Sequence, residues 1–381
     1  MRSRGVRLQY SFEPEDQRGA DLHNPLFELL SAVRDSGSIQ HAATALGASY
    51  RHVWGSLKRW EDTLGEPLVH WVRGQPARLT PFAERLLWAE ARARARLTPH
   101  IEALRAELER VLAEALDGSQ QVLTVHASHD LALPLLREHA SRSERLHVDL
   151  RFSGSLDALR DLAEGRCLVA GFHVPPLAEA SNPFARGLKP LLRPGRHKLI
   201  GCTRRTQGLI VAPGNPLALR SLADVAAAGV RFVPRQPGSG TRLLTDHLVA
   251  SQHLPAAPFA ARGVAEDSHN AVAAAVASGE GDAGLGVEAA AAAFGLDFVP
   301  LVTEDYFLVC LKDALDHPGV AKLRAVLASA AWREALAALP GYTPAPHAGE
   351  VLPLTRALPW WHYRTAKPSP ARPPEPVSST A

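Results

Sequence analysis

The chain has 381 residues, 46% of them hydrophobic and 21% charged, which suits two or three folded domains with ordinary cores. A net charge of +3 excludes a polybasic chain that binds nucleic acid along its whole length, so any cationic patch is local. Cys167, Cys202 and Cys310 lie far apart in apolar runs and in no CxxC spacing, which excludes zinc fingers, iron–sulfur ligation and a disulfide framework and marks them as small buried hydrophobes.

Residues 1–20 are polar and predict a flexible N-terminus. "MRSRGVRLQYSFEPEDQRG" lacks the apolar run of a signal peptide, and no stretch approaches the ~18 apolar residues of a membrane span, so a cytoplasmic protein without a membrane partner is expected. Residues 21–116 read as a helical domain. In "NPLFELLSAVRDSG" Asn24 caps a helix, Pro25 sits in its first turn and Gly37 lies just past its end. In "GSIQHAATALGASYRHVWGSLKRW" Ser38 caps a helix over 39–46, Gly47 supplies a positive φ, and Ser49 caps a second helix running to 64. Two helices joined by so short a turn make a helix-turn-helix.

At ~100° per residue the second helix places Val53, Leu57, Trp60 and Leu64 in one arc, its core face. Arg51, Trp54, Gly55 and Lys58 lie opposite, with Tyr50 at the edge. This cationic and aromatic face suits insertion into the major groove of double-stranded DNA, with Arg51 and Lys58 reaching bases or phosphates. "LGEPLVHWVRGQPARLTPFAERLL" then reads as strand, basic turn, strand and helix, a wing carrying Arg73 and Arg78. Between 50 and 96 Lys and Arg outnumber Asp and Glu, as a DNA-facing surface requires. A long helical pattern covers 81–116, and Thr98-Pro99 is expected to kink or interrupt it. Its Leu97, Ile101, Leu104, Leu108, Val111 and Leu112 recur at three- and four-residue steps, as a paired helix needs. "DGSQQ" (117–121) reads as a linker.

Over 122–362 short β-rich runs alternate with helical stretches, which predicts an α/β domain with mainly parallel sheets, long enough for two lobes. Hydroxyls gather at four strand-to-helix turns: "HASHD" (126–130), "SGSLDALRDL" (153–162), "PGSGTR" (237–242) and "EDSHN" (266–270). Helix N-termini offer free N–H groups and a positive dipole end, and a two-lobed cleft surrounds a small polar solute with such turns. The candidate ligand residues are Ser128, Ser153, Ser155, Ser239, Thr241, Arg242, Ser268 and His269, joined by His173 in "GFHV" and Tyr306. Asp282 is a weaker one, and Arg205 and Gln207 are assigned to a strand linking the lobes. Each turn by itself is equally an ordinary helix cap. Asp130, Asp157, Glu266 and Asp267 would oppose a bare oxyanion if they faced it and would suit an amine or a hydroxyl. The Pro/Ser-rich tail, 363–381, predicts disorder.

Enzyme motifs are missing. The adjacent residues of "ASHD" and "DSHN" do not give nucleophile–base geometry, and there is no G-x-S-x-G, GxxxxGK[ST] or HExxH. The histidines show no metal-ligand spacing, so neither catalysis, cofactor nor metal is expected.

The stretch "SGSIQHAATALGASYRHVWGSLKRWEDTLG", with the "LG-x-x-L…R…LT" frame after it, resembles the winged helix-turn-helix of ModE-type molybdate-responsive regulators and, more loosely, of LysR-type regulators. Residues 122–361 resemble the periplasmic-binding-protein-like (PBP-like) domain fused to such heads, itself related to molybdate- and tungstate-type solute-binding proteins. "FSGSLDALRDLAEGRCLVAGFHV", "RTQGLIVAPGNPLALRSLADV", "RFVPRQPGSGTRLLTDHLV", "EDSHNAVAAAVASGEGDAGLGVEAAA" and "GLDFVPLVTEDYFLVC" carry that resemblance in order. It implies a DNA-binding, homodimeric transcriptional regulator with a small-molecule effector, either a molybdate- or tungstate-type oxyanion or an organic solute. In that family the helix after the wing dimerises, and Ser49, Tyr50, Arg51 and Trp54 fall in the head's most specific stretch. The alternative is a soluble solute-binding protein whose helical head only oligomerises.

Overall fold

The computed structural model describes residues 25–361, apart from 73–74, 117–120 and 261–264. The expected flexible N-terminus, the disordered tail, Arg73 and most of the linker lie outside the described residues. Gln121, the last linker residue, already belongs to a strand.

The head opens with α1 (Pro25–Ser36), which buries Leu26, Leu29, Leu30 and Val33, an i, i+3, i+4, i+7 stripe. Ser38 accepts the His41 N–H to cap α2 (Ile39–Ala45), and Ser49 accepts the His52 N–H at 3.2 Å to cap α3 (Tyr50–Leu64). Between them Gly47 takes φ +61° in open space, so the turn needs its conformation and not its small size. Val53 and Leu57 are buried as the helical angle predicts, whereas Trp60 and Leu64 are only partly covered. A two-stranded wing follows, β1 (Val69–His70) against β2 (Arg78–Leu79), paired antiparallel.

One helix, α4 (Pro81–Leu116), then leaves the head. It is not interrupted at Thr98-Pro99, where the sequence was expected to kink or interrupt it. Proline has no N–H to give the carbonyl four residues back, which is that of Ala95. Here the Ser268 hydroxyl donates to the Ala95 oxygen at 3.3 Å, so the helix continues with its exposed acceptor met from another domain.

The second domain is built on one nine-stranded sheet. Its early elements are β3 (Gln121–Ser128), α5 (Ala132–Glu144), β4 (Leu146–Ser153), α6 (Ser155–Ala163), β5 (Val169–Val174) and α7 (Pro183–Leu188). Next come β6 (His197–Val211), α8 (Leu222–Ala227), β7 (Phe232–Val233), α9 (Gly240–Ser251), α10 (His269–Ala277), β8 (Ala283–Val287) and α11 (Glu288–Ala293). The chain closes with β9 (Asp297–Leu311), α12 (Pro318–Ala328), α13 (Ala330–Ala337), β10 (Tyr342–Pro344), β11 (Val351–Leu352) and α14 (Leu354–Ala357).

The strand order is β4-β3-β5-β9-β6-β8-β7, with β10 and β11 added on β6. β3 runs parallel to β4 and β5, and β7 parallel to β8, but β6 pairs antiparallel with β8 and β9, and β5 with β9. The sheet is therefore mixed, where mainly parallel pairing was expected. The reason is that β6 and β9, 15 residues each, traverse both lobes in opposite directions. One end of the pair joins β5, the other joins β8, and Arg205 faces Glu304 at the crossover. Arg205 and Gln207 thus lie on the linking strand, as read from the sequence. Cores form on both sides of the sheet, one around Leu123, Val272 and Trp332 and the other around Phe172, Leu209 and Trp360. The three cysteines are free and buried within them, and burial pushes the thiols of Cys167 and Cys310 up to about 11.

Ser268 both caps α10, accepting the Ala271 N–H at 3.1 Å, and bonds Ala95. Ser268→Ala removes a cap and leaves a buried carbonyl unpaired, so it should cost about 1–3 kcal/mol in urea unfolding. An unchanged midpoint would mean that water replaces the hydroxyl.

Candidate functional site

Two regions carry the chemistry. On the head, Ser49, Tyr50, Arg51, Lys58 and Arg78 are exposed and Trp54 is half-buried. Tyr50 stacks on Trp54 with centroids 6.4 Å apart, and Trp71 of the wing meets Trp54 edge-on at 6.0 Å. Lys58, read from the sequence as reaching bases or phosphates, lies back over the Trp54 ring at 5.1 Å and pairs with Glu61 at 2.7 Å. Glu61 also accepts the Leu68 N–H at 2.8 Å, which ties the recognition helix to the wing. This face offers Arg51 and Arg78 as uncommitted cations beside an aromatic row, a surface fit to meet phosphates and base edges.

The second region is a buried polar cluster where the lobes join, around the middle of β6 and β9. Strand β3 ends at Ser128, whose Oγ lies 3.0 Å from His173 Nδ1 on β5, and His173 Nε2 lies 3.1 Å from Asp130 Oδ2. Asp130 also accepts Arg205 Nη1 at 2.8 Å, the Tyr342 hydroxyl at 3.2 Å and the Ala132 N–H at 2.8 Å. Arg205 Nε and Gln207 Nε2 each donate to Glu304 at 2.8 Å, and Tyr306 donates to the Ser128 carbonyl at 3.1 Å. Burial would push Asp130 up, but the His173 hydrogen bond and the Arg205 charge overcome it and hold the carboxyl at about 2. Burial and Arg205 push His173 down. The Ser128–His173–Asp130 line has the outline of a catalytic triad, in a different electrostatic setting. Its carboxylate is spent on Arg205, its imidazole is a weakened base, and its serine is buried.

Other sequence candidates separate. Gly154, capping α6, and Gly238 lie on opposite lips, so close that a Cβ on Gly154 would sit 3.7 Å from the Gly238 oxygen. Ser153 and Ser155 flank the first lip, and Ser239 and buried Thr241 the second. Ser239 caps α9 through the Arg242 N–H, and Arg242 pairs with Asp246 at 2.8 Å, both local roles. Asp282 pairs with Arg231 at the surface. Ser268 faces α4, whereas His269 stays buried, with Nδ1 unpartnered.

The acids that seemed to oppose an anion are largely committed elsewhere. Asp157 holds Arg160 at 2.5 Å. Glu266, 1% exposed, takes Arg92 Nη2 and Arg96 Nη2 on Oε1 at 2.8 Å each and Arg96 Nε on Oε2 at 2.8 Å. Arg92 pairs with Glu280 as well. The long helix is thereby bolted to the loop before α10, with Ala95 packed on Ala271 and Ala274. Sequence reasoning missed Arg92, Arg96, Asp130 as a partner of Arg205, and Arg235. Ion pairs between residues 75 or more positions apart leave no local pattern; only the position of Arg235 beside "PGSGTR" was a signal. Among the described residues no cluster could hold a metal ion, and no helix is long and apolar enough to cross a membrane.

Comparison with known proteins gives this architecture a family. Residues 26–84 match the model of the bacterial regulatory helix-turn-helix protein, lysR family, and residues 136–328, just over half the chain, match the PBP superfamily domain. The chain belongs to the PBP superfamily, and its head matches the helix-turn-helix model of the lysR family. The uncharacterized protein YvgK of Bacillus subtilis (strain 168) is 31% identical over 196 residues, covering 51% of this chain and 63% of that protein. This chain therefore spans less than two thirds of that relative. Among solved structures, a cysteine-to-serine mutant of Corynebacterium glutamicum OxyR with H2O2 bound is 17% identical over 82% of this chain and 93% of its own, at a TM-score of 0.43. Full-length CbnR complexed with its target DNA is 18% identical over 79% of this chain and 97% of its own, at 0.40.

The cleft histidines set a pH dependence. Burial, then the charge of Arg235, lowers His129 from 6.5 to about 4; the same two causes push His269 well down, and His173 is also lowered. Unfolded histidines bind protons as pH drops through about 6.5, while the folded ones resist, so this stability is complete above that pH and is lost below it. Urea midpoints should stay nearly level from pH 7.5 to about pH 6.5 and then fall toward pH 5. A flat or rising profile would show that these rings are not held neutral.

Proposed function

We propose that the chain is a homodimeric, one-component transcriptional regulator in which a small solute in the inter-lobe cleft changes how the heads meet double-stranded DNA. The observation that carries this reading is the double arginine clamp on Glu266. The helix that leads from the head is fastened, by buried charge, to a loop at the rim of the cleft. A solute that shifts this loop alters the seating of α4, and with it the placement of two heads across a dimer relative to their half-sites.

The proposed DNA contacts are Ser49, Tyr50, Arg51, Trp54, Lys58, Arg73 and Arg78. The proposed solute contacts are Ser128, Ser153, Ser155, His173, Thr241 and His269, with Tyr306 supporting Ser128 from behind. Leu104 and Val111, 48% and 50% exposed and seven residues apart on α4, support dimerisation through that helix. Molybdate and tungstate stay among the candidate solutes, beside organic ones.

Charge reversal of Arg51 and Lys58 together should weaken binding of the full chain to a duplex about tenfold or more in fluorescence anisotropy, with its thermal response to solutes intact. A solute-binding protein whose head only oligomerises would lose neither property. Arg78→Ala should weaken binding on every sequence and reduce the slope of log affinity against log salt by about 1; an unchanged slope would remove the wing from the interface.

A further inference from the structure

Arg235 follows β7 and is a buried cation that, among the described residues, has no carboxylate hydrogen-bonded to it. Its Nε donates to the Glu266 carbonyl at 3.1 Å and its Nη2 to the Asp267 carbonyl at 2.7 Å, while Nη1, on a residue only 6% exposed, has no partner. The neighbouring carboxylates are taken: Asp130 and Glu304 by Arg205, and Glu266 by Arg92 and Arg96. Asp267 acts on Arg235 through its charge, but its buried Oδ1 makes no hydrogen bond. Burial, then the charge of Arg205, pulls Arg235 down to about 10, the mark of a cation short of counter-charge.

Two further unpartnered nitrogens belong to the same cluster, Nδ1 of His129 just past the end of β3 and Nδ1 of His269 at the start of α10. His269 stands two residues past the Asp267 carbonyl that Arg235 holds, and the charge of Arg235 lowers both His129 and His269. A buried guanidinium with a free N–H suits an oxyanion, and an imidazole in the tautomer that protonates Nδ1 adds a donor.

We infer that Arg235, with His129 and His269, is the receptor for an oxyanion group of the effector, either the carboxylate of an organic acid or a mineral oxyanion. This rests on the reading of the cleft as the effector site. The same residue reports occupancy outward. The carbonyls it holds belong to Glu266 and Asp267, and the Glu266 side chain is the anchor of α4. An anion that draws Nη1 toward itself pulls on the loop to which α4 is bolted.

The test is thermal unfolding of the full chain, as wild type and as Arg235→Gln and Arg235→Lys, against molybdate, sulfate, phosphate, malate, succinate and, as neutral solutes, glucose and glycerol. One anion class should raise the wild-type melting temperature. Arg235→Gln should abolish that shift, and Arg235→Lys, which keeps the charge and guards against misfolding, should demand about tenfold more anion. Mineral against carboxylic anions separates the two sources of the group. The shift should survive charge reversal of Arg51 and Lys58, which sets it apart from ions on the DNA-binding face. An equal shift in Arg235→Gln overturns the inference. Stabilisation by neutral solutes alone overturns it and leaves the cleft as effector site, whereas silence toward every solute removes both.

Discussion

Taking a charge out of water is costly unless something in the fold answers it, and the second domain is arranged around three such answers. Arg205, at the crossing of the two long strands, has Asp130 from one lobe and Glu304 from the facing strand. Its charge is fully met, and burial notwithstanding, these carboxylates and Tyr342 raise its pKa. Glu266 is met by two arginines from a helix 170 or more residues away in sequence. Among the described residues Arg235 hydrogen-bonds only carbonyls. Two of these are closed pairings that fix the frame, and the third leaves a cation with capacity to spare at the place where the lobes face each other.

The arrangement joins α4, which leaves the head, to the loop before α10. Residues 266–268 serve three neighbours at once. Their carbonyls hold Arg235, the Glu266 carboxylate holds Arg92 and Arg96, and the Ser268 hydroxyl fills the acceptor that Pro99 exposes on α4. A segment so divided cannot move for one neighbour without disturbing the others. Removing one partner would leave the buried Glu266 charge uncompensated, which is costly even though Arg92 and Arg96 are partly exposed.

Much of the head was legible in the sequence because its determinants are local. The caps Ser38 and Ser49, the positive-φ Gly47 and the Val53–Leu57 stripe are written within a few residues of their effects. The alternation of the second domain likewise disclosed two lobes and placed Arg205 on the strand between them. What the sequence hid was long-range. Thr98-Pro99 looked like a break because a proline was weighed against helix alone, without the hydroxyl that answers it. The sheet looked parallel because two antiparallel 15-residue strands, read singly, differ little from buried parallel ones. Ser268 looked like a cleft residue because helix caps and ligand contacts share a motif, and only its neighbour Ala95 separates them. Asp130 and Glu266 looked hostile to an anion because their partners, Arg205, Arg92 and Arg96, lie far off in the chain.

The central claim is that the buried Glu266 clamp, and not apolar packing alone, seats α4 on the cleft loop. Amide hydrogen exchange across 88–100 and 266–271, compared between the wild-type full chain and Glu266→Gln, tests it directly. The substitution keeps the shape and removes the charge. Faster exchange in both segments, with 38–64 unchanged, is the predicted result. Equal protection in the two proteins would contradict the account, because α4 would then be held by Ala95 and its apolar neighbours without help from the charges.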